Sequence, residues 1–157
     1  MEPAYGLADP ETLRRLSGLE LLRALAAGDV PAPTMGQRLG FRLVEAEEGR
    51  VAFEGTPDGG MLNPLGSVHG GWALTLIDSA AGCAVHSRLP AGAGYTTLET
   101  KVNFTRAIRP DAGAVRCEGK VLAFGRRIAT AEARLTGADG ALLAHGTSTL
   151  MIFAAAD

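Results

Sequence analysis

The run Trp72-Ala-Leu-Thr-Leu-Ile-Asp-Ser-Ala-Ala-Gly-Cys-Ala-Val85 is apolar on nearly every face at helical spacing. A helix that is apolar all round has no side to give to water, so it forms only where other elements surround it. The remainder of the chain must therefore supply a wrapping layer. One residue in the run does not fit a purely structural helix. An ionised Asp78 at its centre is costly without partners, which marks it as a candidate functional group.

His69-Gly70-Gly71 stands directly before this run. The first turn of a helix leaves backbone N–H groups unpartnered, and the macrodipole adds partial positive charge there. Glycines at 70 and 71 let a ligand oxygen approach those groups closely, the arrangement that carbonyl chemistry uses as an oxyanion hole. The same two glycines also suit a tight loop-to-helix turn, and the tripeptide alone leaves both readings open. Distance adds a constraint. Gly70 and Asp78 are eight residues apart, ~12 Å along one helix axis. Groups acting on one carbonyl must lie within ~3–3.5 Å of the reacting atoms. One copy of the helix does not easily present both to the same carbon, whereas two copies related by a two-fold axis can, so if both groups act on one substrate the site lies between subunits.

At 157 residues, 46% hydrophobic and 20% charged, the chain reads as one globular domain. A formal net charge of −2 gives no general attraction to nucleic acid or anionic membranes. No apolar run reaches the ~20 residues of a membrane span. The two cysteines, Cys83 and Cys117, fall in the apolar helix and a predicted strand, and no secretory leader is recognisable, so both read as reduced core thiols of a cytoplasmic protein.

Residues 1–10 read as a loose tail. Leu13, Leu16, Leu19, Leu22 and Leu25, interleaved with charges, predict one amphipathic helix over about 11–27, ended by Gly28 and Pro31-Ala-Pro33. Packing against the domain is its expected use. Leu39, Phe41 and Leu43 alternate, Glu47-Glu-Gly-Arg50 turns, and Val51 and Phe53 alternate again, predicting a strand pair. A Gly/Pro-rich loop over 55–69 leads to the helix of about 70–88. Four strands follow, at about 95–108, 113–123, 127–136 and 141–153, with short connections that favour an antiparallel meander. One long helix against a curved antiparallel sheet is an α+β fold.

Asn63-x2-Gly66-x2-His69-Gly70-Gly71, Thr75-Leu-Ile-Asp78, Thr96-Thr97, Val102-Asn-Phe-Thr-Arg-Ala-Ile-Arg-Pro110 and Gly146-Thr147 together resemble the hotdog-fold acyl-CoA thioesterases of the phenylacetate-catabolism and 4-hydroxybenzoyl-CoA type. The resemblance covers about 35–153. It implies an antiparallel sheet wrapped around a long central helix over 35–157, preceded by an extra N-terminal tail and helix over 1–34. It further implies a homodimer with sites at its interface, and assembly of dimers into a homotetramer. Asp78 would be general base or nucleophile, and the Gly70 N–H of the opposing subunit the oxyanion donor. Asn63 and His69 of that opposing subunit would position thioester and water. One branch of such enzymes carries a water-holding hydroxyl one turn after the acid, where this chain has Gly82. The resemblance then points to Thr96, with Thr97 second. Gly71 and Trp72 are further substrate-binding candidates, although Trp72 suits the core equally. Arg126 and Arg127 are candidates for the CoA phosphates, or a solvated turn. Arg106 and Arg109 are weaker phosphate candidates, and Glu99 is a possible second carboxylate near the site.

His86 reads as solvent-facing or as a charge favourable to the helix C-terminus, and His145 as an ordinary strand residue. The three histidines lack metal-ligand spacing, and no cofactor is expected beyond the CoA of the substrate. Thioester hydrolysis needs oxyanion donors and a carboxylate that activates water or attacks directly. The competing readings are an enoyl-CoA hydratase or dehydratase, whose usual Asp-x-Asn-Pro-x-His motif this chain lacks, and a non-catalytic acyl-CoA-binding protein.

Overall fold

The structure is a computed structural model that describes residues 4–154. Helix α4, Gly70–His86, is the central element. Six strands wrap it: β1 Phe41–Glu47, β2 Arg50–Gly55, β3 Gly94–Phe104, β4 Val115–Phe124, β5 Ile128–Thr136 and β6 Leu142–Phe153. All neighbouring pairs are antiparallel, in the order β1-β2-β4-β5-β6-β3. The expected α+β wrapping of a helix by one sheet is what forms.

The simple meander is not. β4, β5 and β6 follow one another, but β3 crosses to the far edge and, among the described residues, pairs only with β6. Its return to the sheet centre, residues 105–114, passes under the start of α4, where the Ile108 carbonyl accepts from the Val68 N–H at 2.9 Å. Short connections alone could not reveal this, because the crossover is set by how α4 delivers the chain to the opposite edge.

The single N-terminal helix expected over 11–27 is also corrected. It is two helices, α1 Pro10–Arg15 and α2 Gly18–Ala27. Leu16 is extended, and Ser17 caps α2 in a reciprocal box with Glu20, which satisfies the first-turn N–H groups and ends the earlier helix. Gly18 then rests on the end of α4: its N–H donates to the Leu89 carbonyl at 3.0 Å, and a Cβ there would overlap the His86 carbonyl. The described part of the tail is tied down as well, by Gly6 and Ala32 hydrogen bonds across to residues 4 and 32. Leu39 closes a short helix, α3 Thr34–Leu39, instead of opening β1.

The core is the concave face of the sheet against α4: Leu76, Ile77, Ala80, Ala81 and Val85 meet Val51, Val115, Cys117, Ala131, Leu135 and Leu150. No helix among the described residues is long and apolar enough to cross a membrane.

Candidate active site

Residues 62–69 lead into α4 through a loop that folds around Asn63. Its Oδ1 accepts from the Leu65 N–H at 2.9 Å and the Ser67 N–H at 3.3 Å, and its Nδ2 donates to Ser67 Oγ at 2.8 Å. Gly66 makes the turn possible at φ 83. The side chain of Asn63 is thus the clamp of this loop. At the loop's end, His69 is the N-cap of α4, and its Nδ1 accepts from the Gly71 N–H at 2.9 Å. Accepting there leaves the imidazole proton on Nε2, a donor on an exposed residue. The Gly71 N–H is therefore spent inside the protomer. Among the described residues no acceptor meets the Gly70 N–H, which stays available at the positive end of the helix.

α4 is not closed on every side. Gly71, Thr75 and Asp78 are half-buried and Leu74 is exposed, so one stripe of the helix is open in a single protomer. The exposed Leu98 and Phe104 of β3 are further apolar side chains left uncovered, and Phe104 lies against Gly70. Asp78 sits on this stripe, and its Oδ1 accepts from Thr100 Oγ1 at 2.9 Å. Thr100 in turn stands 3.0 Å from the buried Ser148 Oγ, which also donates to the Glu99 carbonyl.

Thr100 replaces the expected Thr96 as the hydroxyl on the carboxylate, and the cause is a β-bulge. The β3–β6 register slips between Thr97 and Glu99, leaving Leu98 as an extra residue. Before it Tyr95 and Thr97 face the helix; after it the inward set is Thr100 and Val102. A bulge inverts the alternation of everything beyond it. Thr96 is exposed, Thr97 makes no bond to Asp78, and Glu99 is turned out to bond Thr149 at 2.6 Å.

Gly82, which stands where one branch of such enzymes carries a hydroxyl, is filled from elsewhere. The Tyr95 Oη lies 2.5 Å from the position a Cβ at 82 would take, beside the Cys83 thiol. Burial holds the Tyr95 phenol well above its usual range. Tyr95 carried no sequence signal beyond its place in a strand.

Two other expectations are corrected. Trp72 is 3% exposed and its indole N–H donates to the Leu39 carbonyl at 2.8 Å, so it anchors the core and does not line an open site. His86 is neither solvent-facing nor a free charge. It is packed beneath Tyr95 and against Gly18, its Nδ1 has no partner among the described residues, and burial lowers its pKa below 6.5. Below pH 6.5 the unfolded chain therefore takes up the proton more readily than the folded one. Stability is full above that pH and falls as pH drops toward the folded pKa. Melting curves from pH 8 to 5 are expected to show this decline, and His86→Leu to flatten it; an unchanged slope in the variant would refute the assignment.

Arg126 and Arg127 are exposed in the β4–β5 turn. Arg88, just past the end of α4, stacks on Phe124 of that turn at 4.6 Å, so the turn lies at the C-terminal end of α4. In one protomer the arginines and the Gly70 N–H are thus at opposite ends of the helix.

The thioesterase superfamily model matches residues 65–144. A curated protein of Halobacterium salinarum, described as a candidate esterase, is 39% identical over 69 residues, 43% of this chain and 44% of that protein. The match thus spans less than half of that relative. A solved phenylacetic acid degradation-related protein of Ralstonia eutropha, described as a candidate thioesterase, is 26% identical. It covers 83% of this chain and 98% of its own, with a TM-score of 0.75. A conserved Pseudomonas aeruginosa protein is 31% identical over 76% of this chain and 93% of its own, with a TM-score of 0.71. A hypothetical thioesterase of Streptococcus pneumoniae, solved with coenzyme A, shares the fold at 23% identity and a TM-score of 0.68, covering 75% of this chain and 89% of its own.

Proposed function

The chain belongs to the thioesterase superfamily, and from that membership we propose that it hydrolyses acyl-CoA thioesters at sites shared between two copies. The observation that carries this reading is the pairing of two groups on one helix. Asp78 presents a Thr100-oriented carboxylate on the open stripe, and the Gly70 N–H has no acceptor among the described residues. Since ~12 Å of helix separates them, each completes a site with the opposite member from a second copy. β3 supports that pairing: among the described residues it is hydrogen-bonded on one side only, and a bare strand edge is a template for another strand.

In this site the thioester carbonyl oxygen points at the Gly70 N–H, with the His69 Nε2–H as a neighbouring donor. Negative charge that builds on the oxygen during addition meets a fixed helix terminus, and no dipole has to reorganise. Asp78 either takes the proton of the attacking water or attacks the carbonyl carbon itself. Collapse of the adduct breaks the C–S bond. On the water route Asp78 passes the proton it took to the leaving sulfur, giving the free acid and the CoA thiol; on the direct route CoA leaves as a thiolate that takes a proton from solvent, and water then hydrolyses the acyl–Asp78 anhydride. Asn63 acts by holding the loop that aims His69 and Gly70. Arg126 and Arg127, at the far end of α4 in their own protomer, suit the CoA phosphates.

Release of free thiol from a panel of acyl-CoAs tests the reading. Hydrolysis of at least one member is expected. Loss of enoyl-CoA absorbance with no thiol release would identify a hydratase instead, and tight acyl-CoA binding without turnover a binding protein.

A further inference from the structure

The carboxylate of Asp78 ends a short row of oxygens that runs into the sheet. Thr100 Oγ1 lies 2.9 Å from Asp78 Oδ1, Ser148 Oγ lies 3.0 Å from Thr100 Oγ1, and the Glu99 carbonyl lies 2.9 Å from Ser148 Oγ. Register puts the two hydroxyls side by side, because Thr100 pairs with Ser148 across β3 and β6 once the Leu98 bulge has turned Thr100 inward. Ser148 is 1% exposed, so bulk water does not reach it. Among the described residues each hydroxyl meets only its two neighbours in the row.

Counting protons shows what this row can hold. A hydroxyl gives one proton, whereas a carbonyl or an ionised carboxylate only accepts. Both ends of the row are therefore acceptors while Asp78 is charged, and two hydroxyls must fill three contacts. One contact stays empty. Thr100 gives its proton to the carboxylate, the stronger acceptor, and Ser148 serves either Thr100 or the Glu99 carbonyl but not both. A proton on Asp78 removes the shortage: Asp78 donates to Thr100, Thr100 to Ser148, and Ser148 to the Glu99 carbonyl. All three contacts are then hydrogen bonds that run one way.

We propose that Ser148 is a positioning residue of the reaction, completing through Thr100 a row that is fully bonded only while Asp78 holds a proton. The inference rests on the thioesterase reading and chooses between its two routes. On the water route the O–H bond of water breaks as its oxygen bonds to the carbonyl carbon. The proton passes to Asp78, and the carbonyl π pair moves to the carbonyl oxygen. A turn about Cβ–Cγ presents the protonated carboxyl oxygen to Thr100, and the row fills. When the C–S bond breaks, the sulfur keeps the bonding pair and takes the proton back from Asp78. Direct attack by the carboxylate brings no proton to the row, so Asp78 is the base and not the nucleophile.

The other titratable groups near Asp78 leave the row alone. Burial holds the Cys83 thiol up at about 12 and the Tyr95 phenol well above 10, so both stay neutral at working pH. Glu99 is turned out to Thr149, His86 lies about two turns farther along α4, and the proposed site brings in His69 from a second copy.

The kcat/KM–pH profile for a hydrolysed acyl-CoA tests this in the wild type, Ser148→Ala and Thr100→Val. Without Ser148 the protonated acid loses its added hydrogen bond, so the acid limb is expected to move to lower pH by about half a pH unit or more. Without Thr100 the charged form loses its donor, and the limb is expected to move to higher pH. Ser148→Ala is also expected to lower kcat about fivefold on the plateau with KM kept, and Thr100→Ser to keep the wild-type profile. A limb that stays in place in folded Ser148→Ala, or that moves the same way in both variants, overturns the proposal. Enzyme quenched during turnover is expected to keep its unacylated mass; an acyl group on Asp78 overturns it as well. NMR titration of the Asp78 carboxyl carbon reads the same opposite shifts without catalysis. Absence of thiol release from every acyl-CoA overturns the thioesterase reading instead, and that titration then decides the row alone.

Discussion

Asp78→Asn is expected to lower kcat/KM for acyl-CoA hydrolysis roughly a thousandfold, within the range that positioned acids and bases supply, while the fold is kept. The amide is nearly isosteric and its oxygen still accepts from Thr100, so the 2.9 Å bond that orients the side chain survives. What is lost is the ability to take a proton or to attack a carbonyl. Because Asp78 lies on the open stripe of α4 and not in the packed core, the substitution leaves no buried charge and no void. The loss is expected in kcat far more than in KM, the pattern of a group that acts mainly in the transition state. Thiol release at saturating and limiting substrate, with a melting curve as the control for folding, separates these outcomes. Near-normal turnover would remove Asp78 from the chemistry.

The largest expected effect on stability comes from a methyl group on the opposite side of the same helix. A Cβ at Gly119 of β4 would overlap the carbonyl of Ala80 and crowd the backbone of Ala81. Both neighbours are main chain, so neither can swing aside, and α4 must lift from the sheet. Overpacking of this kind costs up to about 3 kcal/mol, occasionally more. For a domain of this size that corresponds to a fall in Tm of roughly 6–12 °C. Gly59→Ala is the matched control, since nothing among the described residues lies within 4 Å of the added methyl. Gly119→Ala is also expected to depress activity in the surviving folded protein, because Ala80 is two residues from Asp78. A variant that melts with the wild type would show that helix and sheet do not meet there.

These two residues mark where sequence reasoning reaches and where it stops. The all-round apolar run after His69 dictated a wrapped central helix, and the lone acid within it singled out Asp78, because both are local patterns. Ser17-x-x-Glu20 was an equally local signal, the capping box that divides the N-terminal helices, and leucine periodicity hid it. Thr100 was beyond reach for another reason. Alternation along β3 favours Glu99 over Thr100 unless a bulge intervenes, and the Leu98 bulge is fixed by pairing with β6, some 50 residues away. Tyr95 and His86 owe their roles to tertiary packing: one fills the notch of Gly82, the other is held between Gly18 and Tyr95, where burial disfavours its charged form. The edge position of β3 followed from a crossover that no local pattern encodes.

The central claim is that acid and oxyanion donor come from different copies of the chain, and mixed dimers test it most directly. Gly70→Pro deletes the N–H at the first helical position, where proline is well tolerated and the preceding residue is already extended. Alone it is expected to cost about a hundredfold or more in kcat, as loss of an oxyanion donor does. Equal amounts of Gly70→Pro and Asp78→Asn protein, each inactive alone, are unfolded together and refolded. Random pairing gives half mixed dimers with one intact site of two, so about a quarter of wild-type activity is expected. Subunit exchange verified by mass with no activity above the two parents would contradict a shared site.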